Sequence, residues 1–534
     1  GKATAGRASC AREVVEGIQA AFRCKPAARD HCLRNIKALR GRGACAVLDV
    51  WLLAALVDIG GKQGSAALAA MSRKAASGQL LVAAVARAVA CGVGDMPGMR
   101  SALTRFASPS MRDKHPAVSG MARSIYASCF LRCERVSDRQ DILGDILGHL
   151  GSKAGAEVDS AIGVLCSLAA EDVGSLLPFA AFLGSILDHI DSFSDEQVRR
   201  IFSVIGALLL ASRPARAGGR GQLAHSRLGD EVHILIRKQL NSGVASQCRS
   251  GIIATLAILR THQQAAASGE EGEGPPQEEL LALVKEMLRQ CGRSPLSRAS
   301  CCEELSLAVD TWRSHADARL LRYVQDKTND DFEACFLEDL EDGKLTARGA
   351  AGGGGDGLGR EAWFNLDGYD APVAVSILPL ASSAEKDDRA ALAKLPSELL
   401  LIGKIEWKCN KSLQGIEALL GCPMHLFRMA NLRDFGERKR HDQAVMCHVL
   451  GHVVNWLRQV VCSFAVLIGP DAAPVGGATQ SASEMVGKVV ARVENALFAE
   501  VALVLMHRCV AAAARSAARS AADPSASKQG GKPP

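Results

Sequence analysis

Four side chains in the C-terminal half have types and spacing that could bind a metal. Cys422 and His425 stand in a C-x-x-H pair, and His448 and His452 fall four residues apart, on one face of a helix. Two such pairs, soft or borderline in character, are the donor set of a tetrahedral zinc site. The surrounding pattern argues the other way. Val449, Val453 and Trp456 belong to the apolar stripe of the same helix, so the histidines read as part of a packed or solvated face, and no metal is expected. The run Gly355-x-Gly357-x-Gly359 has the spacing of a phosphate cradle, but no strand precedes it and no helix opens at the required point. No G-x-S-x-G elbow and no G-x-x-x-x-G-K-[ST] loop occurs, and no catalytic or cofactor-binding residue is assigned. The expectation is a non-enzymatic chain without cofactors.

Basic residues are the remaining chemistry. Arg199, Arg200, Arg213, Arg216, Arg220, Arg227, Arg237, Lys238 and Arg249 gather around one predicted helical hairpin, and Arg433, Arg438, Lys439 and Arg440 form a second group. Each residue alone reads as a solvated charge. As groups they could neutralise phosphates without reading bases. Aromatic residues are only 4% of the chain and only Phe202, in the apolar stripe, and Phe435 fall within these groups, so duplex backbone contact is a better fit than single-strand stacking. Which of them would face DNA is not fixed by the sequence.

The elements that must position these groups are helices. A hydrophobic fraction of 48% with few aromatics is driven by Ala and Leu, which favours helix over sheet. The 18 cysteines are scattered through apolar helical runs without C-x-x-C pairs, so buried, reduced thiols are expected. The N-terminal stretch lacks the apolar core of a secretory signal, and the longest apolar run, Ala46–Ile59, is broken by Asp49 and Asp58. An intracellular protein with no membrane contact is expected.

The clearest helix starts at Ser194, with Gln197 three residues on as a capping box and Asp195 and Glu196 at the positive end of the helix dipole. Val198, Ile201, Phe202, Ile205, Leu208 and Leu209 make one apolar stripe, and Pro214 ends it. A loop over Arg213–Gly229 leads to a second helix carrying Val232, Leu235, Ile236 and Leu240 inward. Elsewhere helix, short loop and helix alternate: helices are expected over Arg123–Leu150, Ala154–Ala169, Leu176–Ile190, Glu278–Cys291, Cys301–Val324, Leu395–Trp407 and Asp442–Phe464, with Pro109 and Pro116 bracketing a loop. Only Val373–Leu380 reads as extended. The expected fold is all-α, an irregular α-solenoid of HEAT-like helical pairs with flexible loops. The expected organisation is an N-terminal array (1–150), central hairpins (151–264), an acidic linker (265–279), a helical block (280–348), a glycine linker (349–361), a C-terminal helical block (362–510) and a basic tail (511–534). The stretches Ala265–Pro276, Gly349–Gly359 and Ala511–Pro534 are predicted to be mobile.

Several blocks in register resemble the Fanconi anaemia group D2 family: EVDSAIGVL, ILDHIDSFSDEQVRRIF and DEVHILIRKQL within Glu157–Leu240, then SGIIATLAIL (Ser250–Leu259), NLDGYDAPVAVSILPL (Asn365–Leu380), IEALLGCP (Ile416–Pro423) and MCHVLGHVVNWLRQVV (Met446–Val461). The matching family segment keeps Cys422 and Cys447 but lacks the two helical histidines. The family's proteins are longer and this chain starts without Met, so an internal piece is expected. The resemblance implies a nuclear scaffold of interstrand-crosslink repair that pairs with a paralogous solenoid, the Fanconi anaemia group I protein, on double-stranded DNA. It also implies monoubiquitination by the ubiquitin ligase core complex. The competing expectation is a generic solenoid adaptor that never touches DNA. In the family the acceptor lysine ends a segment like LAFSK just after the helix that begins at Ser194. Here the segment reads LLLASR, which puts Arg213 at the acceptor position. A guanidinium stays protonated and cannot attack a thioester as a lysine amine does. No lysine lies between Lys153 and Lys238, so Lys238 is the nearest downstream alternative.

Overall fold

The computed structural model describes residues 2–91, 96–212, 222–267, 277–312, 318–339, 358–363, 373–383, 385–410, 415–416, 422–428 and 430–468, with positions 419, 490 and 504. They fall into two compact units, Gly1–Lys238 with Ala257–Gly274, and Gln239–Leu256 with Pro275–Pro534.

The first unit is helical throughout its described residues. It runs α1 (Lys2–Cys24), α2 (Pro26–Ala38), α3 (Val47–Ile59), α4 (Gly61–Ala76), α5 (Val82–Ala90), α6 (Pro97–Ser110), α7 (Pro116–Arg132), α8 (Val136–Leu150), α9 (Gly155–Asp172), α10 (Ala180–Gly184) and α11 (Asp195–Ala211). Three-residue 3-10 turns and the longer 3-10 segment Ser185–Ser192 flank α10. Helices α12 (Gln222–Leu240) and α13 (Ala245–Ala267) each pass from one unit into the other. Prolines open α2, α6 and α7. There the missing N–H is one that a first turn leaves unpaired anyway. Gly60 and Gly61, at φ +79° and +65°, reverse the chain between α3 and α4 in a conformation that costs side-chain-bearing residues strain.

The main helix pairings in this unit join near neighbours, including α1 with α3, α3 with α6, α5 with α7, α7 with α9 and α9 with α11. That local stacking is the logic of a solenoid, in which each helix pair buries its apolar face against the next. Leu53, Val85, Met99, Phe106, Ile125, Phe130, Ile162 and Phe202 form its buried spine. The fold class is therefore all-α, an irregular α-solenoid.

The structure corrects several helix limits. Arg123–Leu150 is not one helix: the chain is extended at Cys133 and Arg135 between α7 and α8. Arg139 Nε donates to the Cys133 carbonyl at 2.7 Å, and Asp138 pairs with Arg100 at 2.8 Å, so the break has its own partners. Leu176–Ile190 fractures into 3-10 turns and the five-residue α10, because Pro178 cannot donate in a continuing helix. Pro109 lies in the last turn of α6 rather than at a loop edge. The second helix of the hairpin opens at Gln222, so the expected loop over Arg213–Gly229 is shorter. Most of the stretches predicted to be mobile lie outside the described residues. The exceptions are Ala265–Ala267, which end α13, and Leu358 with Gly359.

The second unit contains α14 (Gln277–Cys291), α15 (Pro295–Val309), α16 (Ala318–Phe336), β1 (Leu337–Asp339), β2 (Arg360–Trp363), β3 (Val373–Ser376), α17 (Leu378–Ser382), α18 (Lys386–Ala391), α19 (Lys394–Asn410), β4 (Met424–Phe427), α20 (Ala430–Arg433) and α21 (Arg440–Ile468). The expected helix Cys301–Val324 is two helices, α15 and α16. The strands form a small sheet in the order β1-β3-β4-β2. Its β1–β3 and β2–β4 pairs are antiparallel and its β3–β4 pair is parallel. The extended segment expected over Val373–Leu380 is a strand only to Ser376, and Pro379 helps open α17. Val375, Met424, Leu426 and Phe427 join Phe332, Phe336, Leu399, Met446 and Val449 in one core, so the sheet is a wedge between helices.

The cysteines whose side chains are described are unbridged. Cys45, Cys129, Cys133, Cys248, Cys291, Cys301 and Cys302 are buried, whereas Cys24, Cys91 and Cys409 are exposed. Among the described residues no single helix is long and apolar enough to cross a membrane.

Candidate nucleic-acid interface and modification segment

The helix α11 is held as its sequence predicts. Ser194 Oγ accepts from Gln197 N–H at 3.4 Å, and Gln197 Oε1 accepts from Ser194 N–H at 3.0 Å. Gln197 Nε2 also donates to Asp159 at 2.9 Å, tying α11 to α9. Val198, Ile201, Phe202, Ile205 and Leu208 are buried. Gly206 lets α13 approach: a Cβ there would stand 2.9 Å from Thr261 Oγ1 and 3.5 Å from Ile258 Cα.

Several described members of the basic group around this hairpin are engaged by neighbouring groups. Arg199 pairs with Glu196 at 3.4 Å. Arg200 reaches the Asp159 carbonyl at 3.5 Å. Arg249 lies in the second unit, where it bridges Glu303 at 3.1 Å and the buried Glu304 at 3.0 Å, bracing α13 against α15. Arg213, Arg216 and Arg220 lie outside the described residues, as does the side chain of Arg227. Arg237 and Lys238 are exposed in the last turn of α12, where positive charge suits the helix dipole.

The second basic group is more coherent. Arg433, Lys439 and Arg440 are exposed between α20 and the start of α21. Arg438 is half-buried and donates to Asn431 Oδ1. Two arginines that linear spacing did not suggest stand beside them. Arg360 and Arg428, with Glu361, Ala430 and Arg433, line a cavity of about 330 Å³. Only the pairing of β2 with β4 brings Arg360 to this place.

The candidate zinc ligands do not assemble. His425 is buried in β4 with Nδ1 3.5 Å from the Glu338 carboxylate. His448 and His452 sit on α21, with their Nε2 atoms 3.0 Å apart, the distance of a hydrogen bond between two neutral rings. Burial, then the neighbouring His448, pushes His452 down to about 4. Burial also lowers His425 and His448. Among the described residues no three His, Cys, Asp or Glu side chains converge to hold a metal ion.

Two buried polar networks escaped sequence reasoning. In the first unit His149 Nδ1 meets Glu157 Oε1 at 2.7 Å, Ser152 Oγ donates to Glu157 Oε2 at 2.7 Å, and Tyr126 Oη lies 3.2 Å from His149 Nε2. Burial pushes Glu157 up, but the bonds from Ser152 and His149 outweigh it and hold the carboxyl below its usual range. The serine bonds to the carboxylate, not to the imidazole; the hydroxyl that faces His149 is that of Tyr126, which is fully buried. In the second unit Arg298, Asp331, Lys394 and Glu398 meet between α15, α16 and α19. Arg298 pairs with Asp331 at 2.9 Å and lies 3.5 Å from Glu398, which Lys394 approaches to 3.9 Å.

Comparison with known proteins places the chain. The family model described as "Fanconi anaemia protein FancD2 nuclease" matches residues 1–515. The Fanconi anemia group D2 protein of Gallus gallus is 24% identical over 417 residues, covering 73% of this chain and 26% of that protein. The Mus musculus homolog is 25% identical over 376 residues, covering 67% of this chain and 24% of the homolog. The matched region thus spans about a quarter of the length of these curated relatives. A solved structure of Kap95p with RanGDP covers 93% of this chain and is itself covered to 80%, at 10% identity and a TM-score of 0.29, a level that carries no inference. With its family model matched over nearly the whole length, this chain belongs to the FancD2 family of Fanconi anaemia proteins.

Proposed function

We infer that this chain is a scaffold segment of interstrand-crosslink repair. It pairs with a paralogous solenoid, the Fanconi anaemia group I protein, on double-stranded DNA in the nucleus. The observation that carries this reading is family membership across residues 1–515 in a chain built as a helical array. Exposed Lys439 and Arg440 supply cations for phosphate contacts that fix position without reading sequence. The alternative, an adaptor that never touches DNA, needs none of them. The family description contains the word nuclease. Metal-dependent phosphodiester cleavage needs converging acidic or imidazole ligands. Among the described residues no three such side chains converge; the scaffold reading rests on the family match and the helical array, not on that absence.

Regulation by a single ubiquitin, added by the ubiquitin ligase core complex, is the second half of the reading. Arg213, at the aligned acceptor position, lies outside the described residues. Lys238 is exposed on α12 and is the alternative acceptor. Our reading is that the scaffold is retained while the usual modification site is lost or moved. Reconstituted ubiquitination on duplex DNA followed by peptide mapping tests it. Modification at Lys238 would show a moved site. No modification, restored by Arg213→Lys, would show a lost one. A substitution that restores nothing while the paired complex stays intact would overturn the alignment on which the reading rests.

A further inference from the structure

The arginine-lined cavity of the second unit is built from two stretches of chain far apart in sequence. Arg360 opens β2, Arg428 follows β4, and Arg433 closes α20. The antiparallel register sets Arg360 opposite Phe427, which brings Arg428 alongside. Gly359 has φ +56°, and a Cβ there would lie 2.6 Å from Arg428 Nε, so the arginine stem lies directly over the glycine. The surrounding loop is pinned. Arg428 N–H donates to the Leu358 carbonyl at 3.2 Å, and Asn431 Nδ2 donates to the same oxygen while its Oδ1 accepts from Arg438. The cavity wall carries three guanidinium groups and one carboxylate, Glu361. Arg360 is also 3.5 Å from Glu338, so it is held in place from behind.

We propose that Arg360, Arg428 and Arg433 form a receptor for a phosphomonoester on an extended peptide that adds to the edge of β2. The charge matches. The wall carries three cations and one anion, with Glu338 offsetting part of the charge on Arg360, and it remains net positive; a phosphorylated side chain carries about −1.5 to −2 with three acceptor oxygens. Guanidinium forks bind such oxygens in pairs. A nucleic-acid backbone fits less well: each diester offers two free oxygens and one charge, where a phosphomonoester offers three oxygens and nearly two charges to three guanidinium groups. The sheet supplies the second element of recognition. β2 stands at the end of the strand order and, among the described residues, pairs only with β4. A strand edge is where a peptide gains main-chain hydrogen bonds in a fixed register.

The test is fluorescence anisotropy with the 534-residue chain. The probe is a phosphothreonine heptapeptide library with randomised flanks, set against its unphosphorylated twin, with inorganic phosphate and a short duplex as competitors. The phosphorylated library is expected to bind about tenfold tighter or more, as charge-assisted bonds require. Arg428→Glu and Arg433→Glu should each remove most of that preference. Both side chains are exposed, so helical circular dichroism should not change. Lys439→Glu, outside the cavity wall, should leave the preference intact. Equal binding of the two libraries would overturn the proposal, as would a preference that survives both charge reversals. Duplex binding abolished by the same two variants, without any phosphopeptide preference, would reassign the cavity to nucleic acid and also overturn it.

Discussion

Replacing Glu398 by Gln should stabilise the second unit at alkaline pH, although it removes one partner from a buried ion cluster. Glu398 is fully buried on α19, and neither carboxylate oxygen has a hydrogen-bond partner. Arg298 at 3.5 Å and Lys394 at 3.9 Å are ion partners too distant to replace lost hydration. Burial therefore dominates, with Asp331 adding to it and Lys394 and Arg298 opposing it, and the carboxyl is pushed from 4.5 up to about 7. At about 1.4 kcal/mol per pKa unit, holding Glu398 ionised in the fold costs roughly 3 kcal/mol. Between its unfolded and folded values the native chain binds a proton that the unfolded chain does not, so stability rises as pH falls from about 7 towards 4.5. The assay is hydrogen exchange, corrected for intrinsic rates, on amides of α15, α16 and α19 between pH 8 and 5. It reads local stability without requiring the whole chain to unfold in one step. The wild-type protein should gain protection in these helices on acidification. Glu398→Gln should have that protection already at pH 8 and show a flat profile. Protection that falls on acidification, or a Gln variant weakened by several kcal/mol at pH 8, would mean that the ionised cluster stabilises the fold and would refute the argument.

Three further outcomes follow from particular contacts. Ser194→Ala removes half of the capping box on α11 and should cost about 1 kcal/mol in the local stability of that helix, measured by the same exchange experiment. Gly206→Val drives side-chain atoms into Thr261 and the α13 backbone and should cost about 1–3 kcal/mol, read as a lowered melting temperature; a neutral result would mean α11 and α13 do not pack this closely. Glu157 responds to acid with the sign opposite to Glu398. Its carboxyl is held below the usual range, so its contribution is fully present above about pH 4.5 and is lost below it, loosening α8 and α9 in exchange profiles; Glu157→Gln should abolish that acid response.

The sequence made some elements legible and hid others for physical reasons. Ser194, Gln197 and the stripe from Val198 to Leu208 carry a local code, since a cap and a 3.6-residue period can be read without knowing any neighbour. The sheet could not be read in that way. Its strands are three or four residues long, too short for a period, and Met424–Phe427 is buried along its whole length rather than on alternate positions. The helix break at Cys133 depends on Arg139 and on the Arg100–Asp138 pair, which are tertiary contacts. For the basic residues, sequence proximity was a poor guide to spatial neighbours. Arg199 and Arg249 find carboxylates nearby, while Arg360 reaches Arg428 only through strand pairing. The histidine pair on α21 was correctly spaced for a metal, yet Cys422 and His425 do not join it in a cluster.

The most direct test of the repair-scaffold account is assembly of this chain with the paralogous group I subunit, measured by sedimentation with and without duplex DNA over a range of salt. The account predicts that duplex DNA strengthens the pair and that log affinity for DNA falls linearly with log salt, by about 0.9 per phosphate neutralised. Charge reversal at Lys439 and Arg440 should make that slope shallower. A pair that forms equally well without DNA, or duplex binding indifferent to salt and to both reversals, would contradict the account and favour an adaptor that does not engage DNA.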